Sequence, residues 1–276
     1  MLASVVFVPS APLLVPELAG PEATDTAPVR DAVLAAVTAA TPGVSSWIAI
    51  GVADEGTGAI DGVGHADPDG PDPDGADPDG ADLDCADRAR IDAGQPASGT
   101  FARFGVDLPV RLSTRGVPTA PGPLDPRLPL SMLIAGWLRG QMGVESIRPV
   151  TVAPAADPAH CADIGAALAS CVDSDPAPVG VLVVGDGATA LSAKAPGGGL
   201  RAEAVALQQD IDGALGSADR GALARLTDAD CRDVGVGGRP AWQVAAALVG
   251  DRPVRSDVHY AGAPFGVGYV VATWTP

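Results

Sequence analysis

Val179-Gly180-Val181-Leu182-Val183-Val184-Gly185-Asp186-Gly187-Ala188-Thr189 is the stretch whose reading decides the fold. Its first six residues are apolar or glycine with no polar alternation, which suits a strand covered on both faces inside a parallel or mixed sheet. Gly-Asp-Gly then turns the chain and delivers Asp186 and Thr189 just beyond the strand's carboxyl end. Open α/β sheets hold their ligands at that edge. The Gly-rich tract Pro196-Gly197-Gly198-Gly199 and a helical pattern follow. A chemical site in this chain is expected here. The plainer reading is a tight turn in which Asp186 hydrogen-bonds amides of its own turn.

Outward from this strand, helices and strands alternate. Ala3–Val8 reads as a buried strand rather than a signal peptide, since no basic leader precedes it. Three prolines forbid a helix over Pro9–Leu18, which reads as an extended loop laid over the sheet, and Thr26 can cap a helix that Gly43 ends. Trp47–Ala53 is the second strand, ending at Asp54. Val106, Leu108, Val110 and Leu112 recur at period two and predict a half-buried strand over Phe104–Leu112, on an edge because of Pro109. Leu130–Met142 is an apolar helix and Ile147–Ala153 a strand. Asp157 caps the next helix, with His160 solvated in its first turn. Leu200–Leu215 places Ala204, Leu207, Ile211 and Leu215 inside, and Gln208, Gln209 and Asp212 on the opposite, polar side. A helix over Ala241–Val249 and two strands, Val254–Tyr260 and Gly266–Trp274, close the chain. The pattern predicts an α/β fold with a mixed, largely parallel central sheet flanked by helices and ending in a terminal hairpin.

One segment stands apart. Ala66-Asp67-Pro68-Asp69-Gly70 repeats twice more with small changes through Gly80, and a decayed fourth copy follows. No apolar period accompanies it, and the bidentate Glu of a calcium loop is absent. Residues 1–276 are therefore expected to form one α/β domain, with 55–98 a disordered Asp/Pro/Gly-rich insertion carrying His65. Between Asp61 and Asp92, eleven aspartates against two arginines supply over half of the net charge of −17. That charge argues against nucleic acid and anionic membranes as partners. No apolar run is long enough to span a bilayer. Four cysteines without CxxC spacing predict neither a disulfide framework nor a zinc site, which fits a reducing cytoplasm.

Three patches share a resemblance. Val8-Pro9-Ser10-Ala11-Pro12-Leu13-Leu14-Val15-Pro16-Glu17-Leu18 resembles the first active-site loop of the class III extradiol ring-cleavage dioxygenases, the family of the catalytic B subunit of protocatechuate 4,5-dioxygenase. Gly185-Asp186-Gly187-Ala188-Thr189 is similar to that family's central strand and turn, and Trp242 through Pro264-Phe265-Gly266-Val267-Gly268-Tyr269 to its closing helix and hairpin. The resemblance implies a ferrous ion held by two His and one Glu, with open positions for catechol and O₂, and a further His as acid/base. Carried over residue by residue, the first-loop His falls at Ser10 and the second around Gly51 to Asp54. The acid/base His falls at Thr189, and the Glu before Trp242 falls within Val236-Gly237-Gly238-Arg239. None of these groups is present.

The resemblance therefore implies a pseudoenzyme with a degenerate metal site and no cofactor, acting as a small-molecule binder or a partner subunit, with homo-oligomerisation left open. Candidate pocket residues are Ser10, Asp54, Asp186, Thr189 and His259. Two carboxylates among hydroxyls would make at best a weak oxygen site for Mg²⁺ or Ca²⁺, and His259 alternates with Arg255 and Asp257 as part of a polar strand face. Two rival readings remain: an active ring-cleavage dioxygenase holding Fe(II) through non-standard ligands, and a nucleotide-binding α/β protein using Gly185-Asp186-Gly187 or Pro196–Gly199 as a phosphate loop. The latter lacks the GxGxxG and GxxxxGK[ST] signatures.

Overall fold

The computed structural model describes residues 1–20, 24–54, 98–114 and 124–276; the repeat insertion lies outside them. Its strands are β1 (Leu2–Val8), β2 (Ser46–Val52), β3 (Ser98–Thr100), β4 (Pro109–Arg111), β5 (Ile147–Val152), β6 (Val179–Val184), β7 (Arg255–Gly262) and β8 (Tyr269–Thr275). Six of them form one sheet in the order β5-β2-β6-β1-β8-β7. The first four are mutually parallel, and β8 runs antiparallel to both β1 and β7. The central stretch is thus an interior strand with all six residues buried, as its lack of alternation requires.

The helices are α1 (Pro16–Ala19), α2 (Ala27–Ala40), α3 (Leu130–Met142), α4 (Pro158–Ser174), α5 (Ala202–Ser217), α6 (Arg220–Ala224), α7 (Asp228–Asp233) and α8 (Arg239–Val249). They cover both faces of the sheet. Val181 and Val183 of β6 pack with Ile48, Ile50 and residues of α4, α5 and α8. Leu182 and Val184 point the other way, toward Trp47, Ala49, α2 and α3. The one-residue alternation of a strand splits the core into these two layers. Phe7 and Trp274 join β1 to β8 with ring centroids 4.6 Å apart, and the Trp274 indole donates to the Leu215 carbonyl at 2.7 Å. No described helix is long and apolar enough to cross a membrane.

Several expectations are corrected. Pro9–Leu18 is not an extended loop throughout: Pro12–Leu14 is a 3-10 turn and Pro16 opens the short helix α1, because proline is tolerated in a first helical turn. Phe104–Leu112 is not one strand: Phe101–Phe104 is a short 3-10 turn closed by Gly105 at φ +100°, and only Pro109–Arg111 is extended, paired with β3 in a separate two-stranded sheet. A period of two cannot register a glycine-broken turn inside it. Thr26 precedes α2 but makes no side-chain cap; its hydroxyl accepts from Arg30 instead, at 2.7 Å. Asp157 does cap α4, accepting from the His160 amide at 2.8 Å. Gln208 is buried rather than on the polar side of α5. Cys161 and Cys231 are free and buried, but Cys171 is disulfide-bonded. Spacing along the chain says nothing about a pair that tertiary contact sets.

Candidate functional site

The carboxyl ends of β1, β2, β5 and β6 share one edge because the four strands are parallel. There the chain leaves the sheet at Ser10, Asp54, Ala153 and Gly185, and a cleft of about 690 Å³ opens between these exits, the start of α3 and the segment spanning α7 to the start of α8. This is the crevice outside strand ends at which α/β sheets bind ligands. Its apolar wall includes Val52, Leu130, Val184 and Val236; Ser10, Asp54, Asp186, Asp228, Arg232 and Arg239 supply the polar groups.

Asp186 is held rigidly. The backbone of Gly185 passes so close to Gly238 that a Cβ on Gly185 would lie 2.6 Å from its Cα, and the Gly238 amide donates to the Asp186 carbonyl at 2.8 Å. Gly185 is therefore needed for close approach, while a Cβ on Gly238 would instead lie 2.3 Å from the Trp242 ring. The Gly187 amide donates to the Gly268 carbonyl at 2.8 Å, and the Ala188 amide to Gln208 Oε1 at 2.8 Å. The Gly185 amide is spent on Val8. With these three amides consumed, the turn lacks the row of open donors that a phosphate loop presents. The tract Pro196–Gly199 does not line the cleft; the Gly197 amide closes back onto the Thr189 carbonyl at 2.8 Å.

The Asp186 carboxyl accepts from the Ser10 amide at 2.7 Å, a neighbouring loop rather than its own turn. Burial raises its pKa to about 7, against the lowering effect of that single hydrogen bond. The other two carboxylates are already committed. Asp54 pairs with Arg103 at 2.5 Å and accepts from the Leu130 amide at 3.2 Å, at the start of α3. Asp228 pairs with Arg232 and, at 3.2 Å, with Arg239.

Arg239 is 1% exposed. Its guanidinium donates to the carbonyls of Ala156 and Pro154 and to Gln243 Oε1. It thereby ties α8 to the exit of β5 and to the start of α4. Cys231 beside it has its thiol pushed up to about 11 by burial, with Arg239 opposing, so it stays a neutral thiol.

Of the five candidate residues, Ser10, Asp54 and Asp186 meet at this cleft. Thr189 does not: its amide donates to Val234 at 2.9 Å, and its hydroxyl backs onto Gly235 and Gly197 behind the cleft wall. The turn after β6 rotates away from the strand axis within those three residues. His259 lies exposed on the edge strand β7 and hydrogen-bonds Thr273 at 2.9 Å, across the sheet from the cleft. Sequence reading missed Asp228, Arg232 and Arg239. A signal existed for the first two, since Thr227 followed by Asp228 and Asp230 is a helix start, and the Thr227 hydroxyl does accept from the Asp230 amide at 3.1 Å.

The donor set does not fit the ferrous ion that the family resemblance implies. Among the described residues, no histidine lines the cleft, two of its three aspartates are paired with arginines, and no group of three or more His, Cys, Asp or Glu is arranged to hold a metal ion.

No family model matches the chain, and no curated protein matches it. Among solved structures, it is similar to the crystal structure of uncharacterized protein JW3007 from Escherichia coli K12, at 12% identity and a TM-score of 0.50, covering 99% of this chain and 100% of that one. At that identity the likeness speaks for the fold alone: α/β, with a mixed, mostly parallel sheet.

Proposed function

We propose that this chain is an extradiol-dioxygenase-like protein that has lost the ferrous site and uses the remaining cleft to bind a small organic molecule. The observation that supports the reading most is the state of the cleft. It keeps the location and size of a small-molecule site, while Ser10 and Asp54 stand where the resemblance puts histidines, and Asp54 is bound to Arg103. What remains can recognise a ligand by shape and a few polar groups. Its residues do not supply the imidazoles that would orient a diol on iron.

The test is an anaerobic Fe(II) titration of purified, metal-stripped protein, with oxygen uptake and catechol ring opening followed on the same sample. The expected result is no stoichiometric iron and no oxygen-dependent ring opening. Stoichiometric Fe(II) with ring opening overturns the proposal in favour of an active dioxygenase with non-standard ligands. A thermal-shift screen of small organic molecules addresses the binding half, with Gly237→Trp as the control. Gly237 lines the cleft and is exposed, and a Cβ there meets nothing within 4 Å, so an indole at the cleft rim is accommodated without disturbing the core. Ligands that stabilise the wild type are expected to lose their effect in this variant.

A further inference from the structure

We infer, on the reading that the cleft is a small-molecule site, that its ligand is a small organic monocation: an ammonium group on a compact apolar body, with Asp186 as its counter-ion. What carries this is local pairing along the cleft wall, not net charge, since three arginines match its three carboxylates in number while two of them sit on Asp228. Asp54 is matched by Arg103 from the segment after β3, and Asp228 of α7 by Arg232 and Arg239. Among the described residues, Asp186 is the carboxylate lining the cleft that has no cation beside it. Its hydrogen bond is to the uncharged Ser10 amide from the loop after β1.

The other titratable neighbour is Tyr269 on β8, a buried phenol whose pKa is raised by burial and, further, by the negative charge of Asp186. Cys231 faces the cleft as a neutral thiol. A carboxyl packed among apolar walls and short of a counter-charge binds a proton tightly for the same reason that it would bind an ammonium ion. Each replaces water lost on burial. The strongly acidic chain adds a long-range field that draws cations in and holds anions off. The turn is already rigid, so contact with a ligand orders nothing further there, and this favours affinity.

Competition between ligand and proton follows, because an ammonium ion pairs with the ionised carboxylate. With a carboxyl titrating at about 7, roughly nine tenths of it is ready at pH 8 and about one tenth at pH 6. Apparent affinity should therefore fall about tenfold between them.

Three probes with one apolar body and different heads test this on the full chain by calorimetry: cyclohexylmethylamine, cyclohexanecarboxamide and cyclohexanecarboxylate. The amine is expected to bind tightest at pH 8, to weaken about tenfold at pH 6, and at pH 6 to release close to one proton per amine bound, read from heats in two buffers. Asp186→Asn should abolish the preference for the amine and the proton release while keeping the wild-type circular dichroism. If that variant fails to fold, the pH dependence and proton release of the wild type decide alone. Tighter binding of the amide or carboxylate overturns the inference and leaves the small-molecule reading standing, as does amine binding indifferent to pH and to Asp186→Asn. Binding of none of the three at millimolar concentration overturns both.

Discussion

At the scale of single residues, the turn after β6 tolerates little change. Gly185→Ala would bring a Cβ within 2.6 Å of the Gly238 backbone, which cannot rotate away. Gly187→Ala meets Gln208 Oε1 at 2.1 Å, a side-chain tip that can swing aside, leaving the Ala188 amide without its acceptor. Orphaning that buried amide costs about 1–3 kcal/mol. Urea unfolding should therefore rank Gly185→Ala as more damaging than Gly187→Ala, and the reverse order would show that the turn relaxes.

Asp186 adds a pH signature. Its folded pKa lies above the unfolded value, so the native state holds the proton more tightly. The stability this lends is present in acid, and ΔG of unfolding falls as pH rises between the two values. Asp186→Asn removes the effect, so its stabilisation relative to wild type should grow by about 2–3 kcal/mol from pH 5 to pH 8. A constant difference across that range would mean that Asp186 titrates normally in the folded protein.

Elements set the next level. β6 owes its place to covered faces: Val183→Asp would bury an unpaired carboxylate on the face packed against α4, α5 and α8. The cost of several kcal/mol rivals the stability of a typical domain, and insoluble or molten protein is the expected outcome. A cooperative thermal transition in this variant would contradict the burial of β6. The wall made by α7 and α8 depends instead on polar contacts. Arg239→Met removes the donors to the Ala156 and Pro154 carbonyls and strands Asp228 without one of its partners. A loss of about 1–3 kcal/mol is expected from leaving buried carbonyls without their donors, since Asp228 is partly exposed and keeps Arg232, measured by urea denaturation.

Over the whole molecule, charge and topology act separately. The net charge of −17 opposes compaction through self-repulsion. Raising NaCl from about 20 to 200 mM shortens the screening length several-fold. It should raise the melting temperature while leaving the relative order of the point variants unchanged. Topology places the site: parallel neighbours align four carboxyl ends, and the antiparallel pair β8-β7 extends the sheet on the far side of β1 without contributing to the cleft.

The unbroken apolar run of Val179–Val184 determined an interior strand without further information, because no other environment accepts both of its faces. Alternating apolar periods likewise determined α3, α4, α8 and the closing hairpin, and parallel strand ends then put Ser10, Asp54 and Asp186 on a common edge. Tertiary structure alone decided the rest. Thr189 and His259 have suitable chemistry in the sequence, but backbone direction three residues past a strand, and position in the sheet order, removed them from the cleft. Gln208 falls on the polar side of a helical wheel, yet the amide of Ala188 gives it a buried partner. Arg239 reads as a loop cation before a proline and becomes a buried tie because carbonyls from distant strand exits converge on it. Local pattern reports which faces are apolar; it carries no record of which polar group another part of the chain will satisfy.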